Sequence, residues 1–282
     1  MSVFSDLKEL IQRRTVIGHF VDAELKTGHR NKVLGNLWQL IDPLSFMLVF
    51  YVVWSIILGR RGPDFMAYLL SGIVTFSMFQ DSVITSSGVL KGQVRLIREV
   101  YFPKAALPTA IAIARVYDLV WALGALGLLL VYLIYRQSHA TPEELERILH
   151  PVSFGWHVIW LPFALLILFM FSLGCSYLSA IAGALFRDTP NILSFVFRIW
   201  FYLSPLFYYP DEAQKNAALR KVFLLYRLNP FTHFFRLVRG ALIYNEAPTL
   251  DGTLYVVGVS VLALVIGFVV FSRYESLVIK QL

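Results

Sequence analysis

The sequence predicts an all-α integral membrane protein with six transmembrane helices. Charged residues make up 15% of the 282 residues and hydrophobic residues 57%, whereas a soluble domain usually carries about a quarter charged residues. The charges are also unevenly spread, because residues 43–59, 148–186 and 252–272 contain no Asp, Glu, Lys or Arg. A bilayer core about 30 Å thick needs roughly 20 helical residues at 1.5 Å each, so these runs predict membrane spans.

Turn signals divide the apolar part of the chain into six spans. Proline and charged residues predict turns at residues 42–43, 60–63 and 187–190, and the polar stretch 136–151 predicts an aqueous loop. The predicted spans cover residues 43–59, 65–90, 105–135, 156–185, 191–209 and 253–272.

Residues 4–25, ahead of the first span, predict an amphipathic helix. Apolar side chains recur there at spacings of three, four and seven, while charged side chains lie mostly off that stripe. Such a helix lies either on the membrane surface or against other protein. We therefore expect a cytosolic interface region over residues 1–42, a transmembrane domain over 43–272 and a cytosolic tail over 273–282.

The chain between the fifth and sixth spans predicts short helices over residues 211–245. The first would start near residues 210–212, and Asn229 followed by Pro230 predicts the cap and start of the second. The second, over residues 231–244, is rich in aromatic residues but too short to span a bilayer. This length is typical of a re-entrant or interfacial helix.

The distribution of basic residues predicts the orientation. The net charge is +7, and residues 91–104, between the second and third spans, contain four Lys or Arg side chains. The positive-inside rule places this connection and both chain ends in the cytosol. We expect no cleavable signal peptide, because the first apolar run follows a charged segment. The same rule accounts for the basic charge without nucleic-acid binding.

No catalytic chemistry is readable in the sequence. There is no GxxxxGK phosphate loop, HExxH, CxxC or GxSxG motif, and the six histidines lack metal-ligand spacing. Cys175 is the single cysteine and excludes an intrachain disulfide. We expect no catalytic residue, metal site or cofactor in this chain. If ATP powers the protein, another chain hydrolyses it.

Four Asp or Arg residues lie inside predicted spans, where charge is costly and is usually paired or faces a cavity. Asp81 and Arg115 lie at similar heights above residues 91–104, so we predict a buried ion pair shared with Asp118. A proton relay is the alternative. Arg198 has no partner nearby in sequence, and it either meets a diphosphate or extends toward the cytosolic surface.

Several motifs give the chain a resemblance to a known family. In chain order they are ELKTGHRNKVLGNLWQLIDPL (24–44), LIREVYFPKAALP (96–108), FRD (186–188), SPLFYYP (204–210) and LNPF followed by RLVRGAL (228–242). The chain resembles the permease subunits of ABC-2 type polysaccharide exporters, which move O-antigen, teichoic acid or capsule. The resemblance implies two copies of this chain around one channel, each docked on a separate ATPase subunit that holds ATP and Mg²⁺. Residues 211–245 would then be external gate helices.

The resemblance also implies a coupling helix over residues 95–103, which would carry ATPase motion to the neighbouring spans. A short helix lying flat on lipid headgroups is the alternative interpretation. The predicted coupling residues are Leu96, Ile97, Arg98, Glu99, Val100, Tyr101 and Phe102.

Aromatic residues are crowded in spans one and five, which line the channel in the resembled exporters. Aromatic faces stack on sugar rings and let a polymer slide, although Trp and Tyr also form interfacial belts in many membrane proteins. With Arg198, the predicted channel-wall residues are Phe50, Trp54, Trp200 and Tyr202.

The expected function is ATP-driven export of a lipid-linked polysaccharide, most simply O-antigen on undecaprenyl diphosphate, across a bacterial inner membrane. Teichoic acid or capsule is the alternative cargo. An ion-driven secondary carrier and a membrane transferase are alternatives of other classes, but the inverted repeats or clustered carboxylates that they require are not evident in the sequence.

Overall fold

The computed structural model describes residues 3–29, 35–57, 64–141, 151–209 and 223–281, and every regular element in these ranges is helical. The α-helices, numbered along the chain, are α1 (Val3–Gln12), α2 (Arg14–His29), α3 (Trp38–Tyr51), α4 (Phe65–Gly92), α5 (Val94–Glu99), α6 (Ala106–Ser138), α7 (Leu161–Leu185), α8 (Thr189–Leu203), α9 (Phe223–Leu228), α10 (Pro230–Arg239) and α11 (Leu250–Gln281). The 3₁₀ or π-helical turns are Gly35–Leu37, Val52–Ile57, Trp156–Trp160 and Gly240–Tyr244.

Five helical segments in the described ranges are long and apolar enough to cross a membrane. They correspond to the predicted first, second, third, fourth and sixth spans. Their bounds are Trp38–Ile57, Phe65–Gly92, Ala106–Ser138, Trp156–Leu185 and Leu250–Val278. We call the end of the bundle where α4 meets α5 the inner end, and the end where α4 begins the outer end.

The predicted fifth span is a shorter helix than expected. It was predicted over residues 191–209, but α8 ends at Leu203 after 15 residues. Ser204 has extended backbone angles (φ −83°, ψ 152°), and Pro205 has no N–H with which to continue the helix. Residues 204–209 therefore lie outside the helix.

Residues 189–209 nevertheless run along most of the height of α4. Near the inner end, the Thr189 hydroxyl donates to the Ala182 carbonyl oxygen at 3.0 Å. At the outer end, the Tyr209 hydroxyl donates to Asp64 Oδ2 at 3.2 Å, directly before α4. The short helix and the extended segment together cover the distance that the sequence assigned to one long helix.

The centre of the bundle is α4, which packs against α3, α6, α7, α8 and α10. Small residues allow its close contact with α7, because a Cβ on Gly183 would overlap the Ser87 carbonyl oxygen. Hydroxyls add to this contact, since Ser179 Oγ donates to the Val83 carbonyl oxygen at 2.8 Å. On the other side of α7, Gly174 lies directly against α11.

The N-terminal region differs from the single helix predicted over residues 4–25. It forms two helices that break at Arg13, and α2 packs along α6. The first span starts at Trp38, so Pro43 lies inside α3 rather than at its start. The predicted boundary between residues 42 and 43 therefore falls within a helix, where only the carbonyl four residues earlier loses its backbone partner.

The predicted cytosolic tail is also helical. α11 continues to Gln281, nine residues past the predicted end of the sixth span. At 1.5 Å per residue its 32 residues extend about 48 Å, more than the bilayer core requires. The helix therefore continues through the predicted boundary at residue 272.

α9 and α10 form a hairpin that enters the bundle from the outer end. Asn229 caps α10 by accepting a hydrogen bond from the Phe231 N–H at 3.0 Å, and Pro230 occupies the first turn. Phe231 packs on Phe79, well inside the bundle, whereas Arg239 reaches Tyr68 near the outer end. The predicted gate region 211–245 lies outside the described residues over 211–222.

Candidate functional site

A cavity of about 980 Å³ lies between α2, α3, α4, α6 and α8. Helices α3, α4, α6 and α8 each turn one face toward the cavity, because side chains three or four residues apart lie on the same side of a helix. Its principal lining residues are Trp38, Asp42 and Phe46 on α3, Ser77, Asp81 and Ile84 on α4, Arg115, Asp118 and Ala122 on α6, and Ser194, Arg198 and Tyr202 on α8.

Arg115 lies on the cavity wall between two carboxylates. Its Nη1 donates to Asp118 Oδ2 at 2.6 Å, and its Nη2 donates to Glu24 Oε1 at 2.7 Å. The side-chain amide of Gln39 also donates to Asp118. The sequence paired Arg115 with Asp81, but Glu24 takes that place because α2 packs along α6.

Asp42, Asp81 and Arg198 are the other charged residues of the cavity wall among the described residues. All three side chains are exposed to the cavity, and none forms a hydrogen bond or ion pair with a described residue. Arg198 lies near mid-height, since the ring of the preceding Phe197 packs 5.2 Å from that of Phe79. The cavity therefore contains charges of both signs that are available to a ligand.

The predicted channel-wall residues fall into two groups. Arg198 and Tyr202 line the cavity, one helical turn apart on α8. Trp200 faces the opposite way and donates from Nε1 to Asn229 Oδ1 at 3.0 Å, so it supports the α9–α10 hairpin. Phe50 and Trp54 are half-buried against the main hydrophobic core and do not line the cavity. Phe50, for example, packs on a ring of the extended segment that follows α8.

Several cavity residues were not among the site residues predicted from the sequence. They are Glu24, Trp38, Gln39, Asp42, Phe46 and Gln80. The repeat of Trp38, Asp42 and Phe46 at intervals of four was a readable signal for one helical face, but the turn predicted at Pro43 divided it. Glu24 had no local signal, because its partner is 91 residues away.

The predicted coupling segment divides into a helix and an extended part. The helix was predicted over Leu96 to Phe102, but α5 ends at Glu99, and Val100 has extended angles (φ −127°, ψ 135°). Proline at position 103 disfavours helical angles in the residue before it. Ile97 and Phe102 are buried, so they anchor both parts in the bundle.

Most of the remaining coupling residues face away from the bundle. Arg98, Glu99, Val100 and Tyr101 are exposed, while Leu96 is half-buried. Glu99 accepts a hydrogen bond from Arg95 Nε at 2.9 Å, four residues earlier on α5. An exposed surface with an apolar centre and charged sides thus forms at the inner end.

Tyr101 connects this surface to the N-terminal helices. Its backbone carbonyl oxygen accepts a hydrogen bond from Arg13 Nη1 at 3.3 Å. The Arg13 guanidinium and the Lys104 ammonium each lie 5.1 Å from the centre of its ring. The break between α1 and α2 therefore lies directly against the predicted coupling segment.

At the outer end, Arg239 forms a buried cluster that the sequence did not reveal. Its side chain is 4% exposed and donates to the carbonyl oxygens of Tyr68 at 3.0 Å and Pro205 at 2.9 Å. The guanidinium carbon also lies 3.4 Å from the centre of the Tyr68 ring. Arg239 thereby joins α10, α4 and the extended segment after α8.

Comparison with known proteins assigns the family. The sequence profile described as ABC-2 type transporter matches residues 15–243, which include the cavity wall and the α9–α10 hairpin. The chain belongs to the ABC-2 type transporter family. It is a multi-pass transmembrane permease subunit without an ATPase domain, and ABC-2 permeases pair with a separate ATPase subunit.

Three relatives of this ABC-2 permease are similar over much of their length. The O-antigen export system permease protein RfbA of Myxococcus xanthus is 26% identical over 271 residues, which cover 96% of each chain. RfbA of Klebsiella pneumoniae is 22% identical over 189 residues, covering 67% of this chain and 66% of that protein. The polysialic acid transport protein KpsM of Escherichia coli is 23% identical over 272 residues, which cover 94% of this chain and 95% of that protein.

Proposed function

We propose that this ABC-2 permease exports a lipid-linked polysaccharide across the bacterial inner membrane, with O-antigen on undecaprenyl diphosphate as the cargo. The cavity supports this most directly, because it provides carboxylates, amides and aromatic side chains inside a largely apolar bundle. These groups bind hydroxyl-rich sugar chains, which lipid cannot solvate. Two O-antigen permeases among its relatives support the choice of cargo.

Arg198 is the proposed contact for the diphosphate of the lipid carrier. Its guanidinium faces the cavity and forms no ion pair with the described residues. Guanidinium groups bind phosphate oxygens through two parallel hydrogen bonds. Tyr202 lies one turn further along the same face, where it offers a ring to the first sugars.

The working unit is proposed to be a homodimer bound to two ATPase subunits. Met47 is the only buried residue of α3 among those described, and α8 exposes Phe195, Ile199 and Leu203. These two helices border the cavity, so a second copy placed against them would enclose a channel.

The proposed topology has six crossings and both termini in the cytoplasm. The fifth crossing consists of α8 and the extended residues 204–209, which reach the outer end at Asp64. The basic character of residues 91–104 favours a cytosolic inner end. Thiol labelling of single-cysteine variants in intact cells tests this topology, since Arg98→Cys should be protected from the label and Asp251→Cys accessible to it.

Coupling is proposed to occur through α5 and the extended residues after it. The ATPase subunit, which holds ATP and Mg²⁺, would contact the exposed residues Glu99 and Tyr101. Glu99→Arg should then reduce ATP-driven export while the permease still inserts in the membrane. If assembly with the ATPase and export both survive this charge reversal, the coupling proposal is wrong.

The function is tested by deleting the gene and analysing surface glycans. Loss of O-polysaccharide supports the proposed cargo, whereas selective loss of teichoic acid or capsule assigns the alternative. Proteoliposomes provide the second test, with the permease alone or together with its ATPase. Uphill transport by the permease alone would contradict an ATP-driven mechanism and favour an ion-driven carrier.

A further inference from the structure

The cavity wall contains more acidic than basic side chains among the described residues. The carboxylates are those of Glu24, Asp42, Asp81 and Asp118, and the guanidinium groups are those of Arg115 and Arg198. Arg115 is held between two of these carboxylates. A second copy of the chain would contribute the same residues, so dimerisation would double the acidic excess rather than cancel it.

Aromatic and amide side chains lie among these charges. Trp38, Phe46 and Tyr202 line the cavity and are 39%, 45% and 54% exposed. One face of Tyr202 stacks on Phe207, which leaves the other face for a ligand. Gln39 and Gln80 line the same wall. Exposed rings next to carboxylates and amides match the chemistry of a sugar ring, whose C–H faces stack while its hydroxyls donate to carboxylate oxygens.

The sign of the charge distinguishes between classes of glycan. A neutral sugar donates hydrogen bonds from its hydroxyls to the carboxylates of Asp42 and Asp81, whereas a chain with a carboxylate on each repeat is repelled by them. Repulsion between two carboxylates about 8 Å apart, at an effective dielectric constant near 20, corresponds to a transport rate that is roughly thirtyfold lower. Water in an open cavity weakens this repulsion, so we expect the charged glycan to be transported about tenfold more slowly than the neutral one.

We propose that this cavity selects uncharged glycans over polyanionic ones, and that Asp42 and Asp81 are the residues that determine this selectivity. The proposal rests on the export function proposed above and narrows its substrate class. It separates this permease from transporters whose polymer has an acid group on every sugar. Arg198 remains available for the single diphosphate at the end of the chain.

The test uses proteoliposomes that contain the permease with its ATPase subunit. Two undecaprenyl-diphosphate-linked oligosaccharides of equal length serve as probes, one of hexoses and one in which alternate hexoses are hexuronic acids. We expect the wild type to transport the neutral probe about tenfold faster. Asp42→Asn combined with Asp81→Asn should bring this ratio close to one, whereas the charge-conserving pair Asp42→Glu and Asp81→Glu should retain it.

Asp251→Asn is the matched control, because Asp251 lies exposed at the start of α11, away from the cavity. It should leave the ratio unchanged. Equal wild-type rates for the two probes, or an unchanged ratio in the double Asn variant, would overturn the selectivity proposal. A complex that transports neither probe despite ATP hydrolysis would instead contradict the export function itself.

Discussion

Replacing Arg239 by alanine tests whether the outer end of the bundle depends on one buried cation. Arg239 donates two well-formed hydrogen bonds to backbone carbonyls and lies over the ring of Tyr68. Each bond from a charged donor contributes about 1.5–3 kcal/mol, and a desolvated cation–π contact contributes about 2 kcal/mol. Removing a buried charge also relieves its desolvation cost, which offsets part of this sum. We expect a net loss of about 3 kcal/mol.

The assay uses the single cysteine as a natural reporter of unfolding. Cys175 is half-buried in α7, so a thiol-reactive fluorogenic maleimide reports its exposure as the detergent-solubilised protein is heated. At about 2–3 °C per kcal/mol for a chain of this size, Arg239→Ala should lower the Tm by about 6–9 °C. Arg236→Ala is the control, because Arg236 is one turn earlier on α10 and exposed.

A Tm of Arg239→Ala equal to that of the wild type would refute the reasoning. That result would mean that the hydrogen bonds of Arg239 in the folded state only compensate for its burial. A Tm loss in Arg236→Ala as large as that in Arg239→Ala would show instead that α10 is sensitive to any loss of charge.

Three further predictions concern the inner part of the bundle. Gly183→Ala should destabilise the α4–α7 contact by about 1–3 kcal/mol and lower the folded yield in size-exclusion chromatography, whereas Gly127→Ala, which meets no atom within 4 Å, should not. Glu24→Gln should weaken the contact of α2 with its arginine partner on α6 by about 1 kcal/mol. A cross-linked cysteine pair between α2 and α6 should then form more slowly, and an unchanged rate would contradict the role of this ion pair. Tyr101→Ala should reduce ATP-driven export in proteoliposomes without lowering membrane insertion, and unimpaired export would count against the coupling assignment.

The sequence predicted features that depend on residues close together in the chain. Asn229 and Pro230 predicted the cap and start of α10, because both act on the helix that follows directly. Pro43 shows the limit of this reasoning. Pro43 lies in the second turn of α3, where it removes only one backbone hydrogen bond, so it did not mark the boundary that its local preference indicated.

The candidate site was predicted only in part. Asp81, Arg115, Asp118 and Arg198 were recognisable because ionisable residues are rare in apolar spans, and all four line the cavity. Trp200 was assigned to the same wall because it belongs to the aromatic cluster at the end of the predicted fifth span. The rotation of α8 places it on the opposite face, and that rotation is set by packing against the rest of the bundle.

Hydropathy and length alone determined that this chain spans a membrane, because the cost of placing backbone and charge in lipid acts on each segment separately. The tertiary structure alone decided which charges from distant segments meet. The closest partners of Arg115 are Asp118, three residues away, and Glu24, 91 residues away. The cavity exists because four helices turn their polar faces toward one another, and those rotations depend on side-chain contacts between segments distant in sequence.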